Sequence, residues 1–159
     1  MIYLIITACI FVSDLMLKAY IDKKYPCGLK HPRLNGAIIL EKYYNRGAAL
    51  NLLSKKPNFL KLLQTLLLIT VGIFYYLTLR ASKKPLAKAG CALLFGGGCS
   101  NLLDRYAKGH VVDYFRINRG PKWLKRIIFN LSDFCIFIGA ILTVCAADRK
   151  ATELSLIHI

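Results

Sequence analysis

Four stretches of this chain approach the length and composition that a helix needs to cross a lipid bilayer, and nothing else in the sequence restricts the fold as much. A hydrocarbon core roughly 30 Å thick takes about 20 mostly apolar helical residues. The first stretch runs from Met1 to about Leu17 and is free of charge until Asp14. The second, Phe59–Leu79, carries Lys61 and Gln64 near its start. The third, about Leu86–Leu103, admits Lys88 near its entry and is rich in glycine, and the fourth, Ile127–Ala147, holds Asp133 as its one charge. Their apolar residues do not keep to one stripe, which suits a helix with lipid around it better than a half-solvated one. The 159 residues suffice for one domain; 56% are hydrophobic, yet the net charge is +15. Apolar and basic together point to a membrane protein with cationic loops, ahead of a disordered chain, a water-soluble globule or a nucleic-acid binder.

The expected fold class is therefore all-α integral membrane, with four transmembrane helices and a small extramembrane β segment in the first loop. That segment is expected between Ala37 and Tyr44, within a connection (Ala19–Asn58) punctuated by Tyr25-Pro26, His31-Pro32 and Asn35-Gly36. A short polar turn, Arg80–Pro85, joins the second and third stretches as antiparallel neighbours, and glycines 90, 96, 97 and 98 predict close helix packing in the third. A cleavable leader is disfavoured for the first stretch, which has neither a basic start nor a small-x-small cleavage site before Asp14. Residues 1–153 read as a single domain. Residues 154–159, Leu-Ser-Leu-Ile-His-Ile, match a translated sequencing-adapter end and are set aside as a non-native tail.

Antiparallel spans bring Asp14, Asp104, Asp113 and Asp133 to one membrane face, with Asp133 expected about 9 Å into the fourth helix at 1.5 Å per residue. An ionisable group in a span costs about 2.5–3.5 kcal/mol on insertion scales. By position alone, Asp133 fits a structural ion pair as well as it fits a functional site. The three histidines are scattered. The six cysteines form no C-x-x-C, and five of them fall in the spans as small packing residues, so no nucleophile arrangement and no metal-ligand set is expected. What remains is a set of carboxylates at one face. Two close carboxylates can share one proton, so that one takes a proton from water while the other protonates the carbonyl under attack; this is amide hydrolysis without a cofactor.

Three motifs make this more specific: Asn45-Arg46-Gly47-Ala48-Ala49; Asn101-Leu102-Leu103-Asp104-Arg105 leading to Gly109-His110-Val111-Val112-Asp113; and Phe129-Asn130-Leu131-Ser132-Asp133. Together with Asp14 and Lys18, and in this order, they resemble the motif set of the lipoprotein signal peptidase (signal peptidase II) family. The resemblance implies a membrane aspartyl endopeptidase that removes the signal peptide of prolipoproteins just before a diacylglyceryl-modified cysteine. It implies Asp113 and Asp133 as the catalytic pair, and Asn45, Asn101, Arg105 and Asn130 as residues that hold substrate and flank the pair. Asp14 and Lys18 would brace the site. Asp104 is expected in a helix end or ion pair, and His110 in a loop beside the site. The family's usual phenylalanine after the first aspartate is Tyr114 here, its alanine before the second is Ser132, and its A-A-F continues as Ala49-Leu50-Asn51.

The resemblance also implies the bacterial cytoplasmic (inner) membrane, with the site at the outer face. Nine cations between Lys18 and Lys56 and seven between Arg105 and Arg126 would, by the positive-inside rule, place those loops inside instead. On the site face such cations are expected to hold membrane phospholipid headgroups, with Trp123, Tyr43, Tyr44, Tyr106 and Tyr114 in an interfacial belt. The expected partner is a lipidated prolipoprotein, with no nucleic acid, no metal, no cofactor, and a monomer as the working unit. Two other readings stay open: a peptidase of the same fold acting on another membrane peptide, and a non-catalytic membrane subunit whose aspartates bind a cation or a partner helix.

Overall fold

The computed structural model describes residues 1–48, 52–81 and 84–157, with side chains described through residue 147. Its helices are α1 (Ile2–Lys24), α2 (Pro57–Arg80), α3 (Pro85–Lys108) and α4 (Leu131–Ile157). Proline at the first position of α2 and α3 fixes φ where the missing N–H has no helical partner to lose. Three helices, α1, α2 and α3, are long and apolar enough to cross a membrane; the apolar part of α4, Leu131–Ala147, is shorter. Large apolar side chains such as Leu66, Leu67, Ile73 and Leu77 of α2 stand exposed, an arrangement that lipid stabilises and water does not.

The central helix is α3, packed against α1, α2 and α4. A methyl at Gly97 would lie 2.7 Å from the Ser132 carbonyl of α4, and one at Gly90 would lie 2.8 Å from that of Gly139. The glycine run is therefore what lets α3 and α4 touch backbone to backbone, as the sequence leads one to expect.

Between the helix ends sits a four-stranded antiparallel sheet in the order β1 (His31–Arg33), β2 (Ile38–Asn45), β3 (Val111–Ile117), β4 (Ile128–Phe129). The sheet is larger than the β segment expected in the first loop, because the connection after α3 supplies half its strands. The run Val-Val-Asp-Tyr-Phe has the β-branched and aromatic content of a strand and meets its partner β2 there. Helix boundaries differ too. Asp104 lies within α3, one turn from its end, where Gly109 closes the helix at φ +75°. Asp133 lies in the first turn of α4 and not about 9 Å into it. The run 49–51, residues 82 and 83 of the α2–α3 turn, the side chains of Asp148 and Glu153, and residues 158 and 159 lie outside the described residues.

Candidate active site

Asp113 sits in β3 opposite Tyr43 of β2. From Leu40 to Tyr43, β2 takes three steps while β3 takes two, from Phe115 to Asp113, so β2 carries one extra residue at Glu41-Lys42. Side chains alternate faces along a strand, and this bulge therefore turns Tyr43 and Asn45 onto the face that Asp113 occupies. The Asn45 Nδ2 donates to Asp113 Oδ2 at 2.9 Å, while its Oδ1 accepts the Gly47 N–H at 3.0 Å.

Asp133 is placed by a helix cap. Asn130 precedes α4, and its Oδ1 accepts the Asp133 N–H at 2.9 Å; the Asp133 Oδ2 reaches back to accept the Asn130 N–H at 3.0 Å. This reciprocal capping box holds the carboxylate at the mouth of the helix. The Asn130 Nδ2 then donates to Asp113 Oδ1 at 2.7 Å, so one residue hydrogen-bonds both aspartates. Asn101 of α3 closes the ring: its Nδ2 donates to Asp133 Oδ1 at 2.9 Å, and its Oδ1 accepts from Asn130 Nδ2 at 3.2 Å and from Lys18 Nζ at 2.7 Å.

Lys18 and Asp14 stand behind Asn101, both fully buried and 2.7 Å apart. A buried pair is stabilising only when its remaining lone pairs and protons find partners, and here they do. Lys18 also reaches Ser100 and Asp104, while Asp14 accepts from Ser100 at 2.6 Å and from the Ser132 hydroxyl. Tyr114, expected at the interface, is buried instead. Its hydroxyl accepts the Leu131 N–H at 3.0 Å and lies 3.5 Å from Asp14 Oδ1. Both substitutions flanking the aspartates, Tyr114 and Ser132, thus point their hydroxyls at Asp14. Asp104 pairs with Lys18 and Lys108, as expected of a helix-end residue, and accepts the Val112 N–H of β3 at 3.4 Å. Arg105 donates to the Gly47 and Asn45 carbonyls, fixing the loop that presents Asn45. His110 packs against Tyr44 with its ring tilted by 52° and ring centres 4.2 Å apart.

Both aspartates open onto a cavity of about 1190 Å³. Its apolar wall runs through Ile128, Phe129, Phe134 and Phe137, and Glu41, Gln64 and Arg116 add polar groups that the sequence reading did not assign to the site. Glu41 bonds Arg116 at 2.7 Å across β2 and β3, and its spacing two residues before Tyr43 and four before Asn45 was the available signal. Among the described residues, Gln64 Oε1 and Arg105 Nε are buried without hydrogen-bond partners. Burial pushes the Asp113 carboxyl up, and the neighbouring Asp133 charge adds to this, to about 7; the Asn45 and Asn130 amides and Lys18 pull the other way. Burial and Asp14 push the Tyr114 phenol up, which keeps it protonated as a donor. No group of three or more histidine, cysteine or acidic side chains that could hold a metal occurs among the described residues.

A family model described as "Signal peptidase (SPase) II" matches residues 6–147. The chain belongs to the signal peptidase II family. Relatives named lipoprotein signal peptidase include one from Lactiplantibacillus plantarum, 32% identical over 148 residues that cover 93% of this chain and 95% of the relative. Another, from Caldicellulosiruptor bescii, is 34% identical over 156 residues, 96% of this chain and 95% of the relative. A solved bacterial membrane enzyme superposes with a TM-score of 0.84 at 25% identity, covering 95% of this chain and 90% of that one. Signal peptidase II membership and the apolar helices make the chain a multi-pass membrane protein.

Proposed function

We propose that this chain is an aspartyl endopeptidase with four membrane spans and one domain over residues 1–153. It cuts prolipoproteins just before a diacylglyceryl-modified cysteine, works as a single copy, and has no nucleic-acid partner. The observation that carries the catalytic reading is Asn130, whose side chain holds Asp113 and whose backbone holds Asp133. With one proton on the pair, the ionised carboxylate takes a proton from water as the water oxygen bonds to the scissile carbon. The protonated one gives its proton to the carbonyl oxygen. Collapse of the resulting diol breaks the C–N bond, and the departing nitrogen receives the proton taken from water. One diol hydroxyl returns its proton to the carboxylate that gave one up, leaving a carboxylic acid, an amine and a singly protonated pair.

Asn130 and Asn101 hold the two carboxylates in register, and Arg105 holds the loop bearing Asn45. Asp14 and Lys18 brace Asn101. Asn45 and Arg105 line the cavity where the substrate backbone would lie, and the Phe134–Phe137 side offers an apolar slot for acyl chains. The site belongs at the outer face of the bacterial cytoplasmic membrane, where a lipidated substrate cysteine would be presented.

The test is cleavage of a lipidated test peptide by purified protein, with mass analysis of the products. Asp113→Asn and Asp133→Asn are each expected to lower turnover by at least about a hundredfold, the range of general acid–base catalysis, with thermal unfolding still cooperative. Undiminished turnover in either folded variant would refute the dyad, and equal cleavage of an unlipidated peptide would refute the substrate.

A further inference from the structure

The β3–β4 connection, residues 118–127, has chemistry the hydrolytic step does not use. Arg119, Lys122, Lys125 and Arg126 are exposed there, and no acidic residue occurs anywhere between Asp113 and Asp133. None of these four cations has a carboxylate partner among the described residues, in contrast to Lys18, Lys42, Lys108 and Arg116. The connection is nonetheless firmly built. Asn118 Nδ2 donates to the Gly36 carbonyl at 2.9 Å, and Arg116 Nη1 donates to that of Lys125 at 2.8 Å. A 3-10 turn at Leu124–Arg126 follows. Between the cations stands Trp123, the chain's one tryptophan, 60% exposed. The adjoining β1–β2 turn adds exposed Arg33 and Leu34.

The location gives this patch a partner. Its inner side, through Trp123, Leu124 and Arg126, borders the cavity, whose wall continues along α4 to Phe137. Phe137 is 67% exposed and nearly two turns into α4; in the proposed membrane placement it faces lipid, and the connection that precedes α4 lies at headgroup depth. Unpaired cations around an exposed indole, at that depth, complement the phosphates of an anionic leaflet.

We infer that residues 118–127 are a docking surface for anionic glycerophospholipid headgroups at the rim of the cavity. The inference rests on the membrane placement in the proposed function but not on turnover. Trp123 provides the readout, since its fluorescence comes from this surface alone. The full chain is reconstituted in phosphatidylcholine vesicles containing an equal fraction of acyl-brominated phosphatidylglycerol or acyl-brominated phosphatidylcholine. Bromine on the anionic lipid is expected to quench Trp123 at least about twofold more strongly. The excess should vanish in 0.5 M salt, where the screening length shrinks to about 4 Å, and in the triple variant Arg119→Gln, Lys122→Gln, Lys125→Gln. It should persist in Lys122→Arg, Lys125→Arg.

Equal quenching by the two lipids in the unmodified chain overturns the inference whether or not the variants fold. So does an excess that survives loss of the charges, or quenching by neither lipid. Cleavage of the lipidated peptide in the same vesicles is scored separately, so failure of the peptidase reading leaves a different record.

Discussion

Asp113 shows how one carboxylate is tuned by what surrounds it. Its two oxygens each accept from an asparagine amide and Lys18 lies within electrostatic reach, yet burial and the neighbouring Asp133 charge outweigh these and its proton is held up to about 7. A pair that works with one proton loses activity when that proton leaves. The logarithm of kcat/KM is therefore expected to fall with a slope near −1 as pH rises through about 7; a profile flat to pH 9 would show that Asp113 is not the acid. Ser132 and Tyr114 act on the same site at one remove. Each hydroxyl replaces a family residue that has none, and both face the buried Asp14. Ser132→Ala and Tyr114→Phe are each expected to lower unfolding stability by about 1.5–3 kcal/mol, as lost hydrogen bonds to a charged group do. Their shared acceptor should make the double variant non-additive by about 0.5 kcal/mol or more, with kcat nearly unchanged. Denaturant unfolding and peptide cleavage read the two outcomes separately.

The elements matter chiefly through how closely they approach. Gly97 lies one turn before Asn101 in α3 and faces the Ser132 carbonyl, so the α3–α4 contact and the Asn101–Asp133 hydrogen bond depend on the same missing side chain. Gly97→Leu must push the helices apart; the expected result is a loss of about 1–3 kcal/mol or more, typical of overpacking. A fall in kcat should accompany it even at temperatures where the variant is folded, because Asp133 loses its amide partner. Full activity in that variant would mean that α3 does not position the dyad. The capping box at the head of α4 has the opposite character: its two bonds join residues three apart, which makes the F-N-x-x-D motif physically local.

Across the whole molecule the helices form a scaffold whose outer faces are left to lipid, while the buried polar groups gather beside the sheet at one end. The apolar lengths of α1, α2 and α3, the glycine contact and the convergence of four aspartates on one side were all legible in the sequence, since each follows from local composition or from antiparallel connection. So was the family, through motifs spread along most of the chain. The sequence alone did not reveal the second half of the sheet, because a pair of short strands acquires its identity from the edge it meets. Nor did it show Tyr114 inside the protein or Asp133 in the first turn of α4.

Local chemistry therefore determined which residues could do the work: carboxylates and amides placed near helix ends, glycines where backbones meet, and cations in the loops. Their mutual arrangement was decided only in three dimensions. One extra residue in β2 turns Asn45 toward Asp113, and without that bulge the same side chain would lie on the opposite face. Pairing across strands and contact between helices sum over distant residues, so no window of sequence contains the information that brings Asn45, Asn101 and Asn130 around two aspartates.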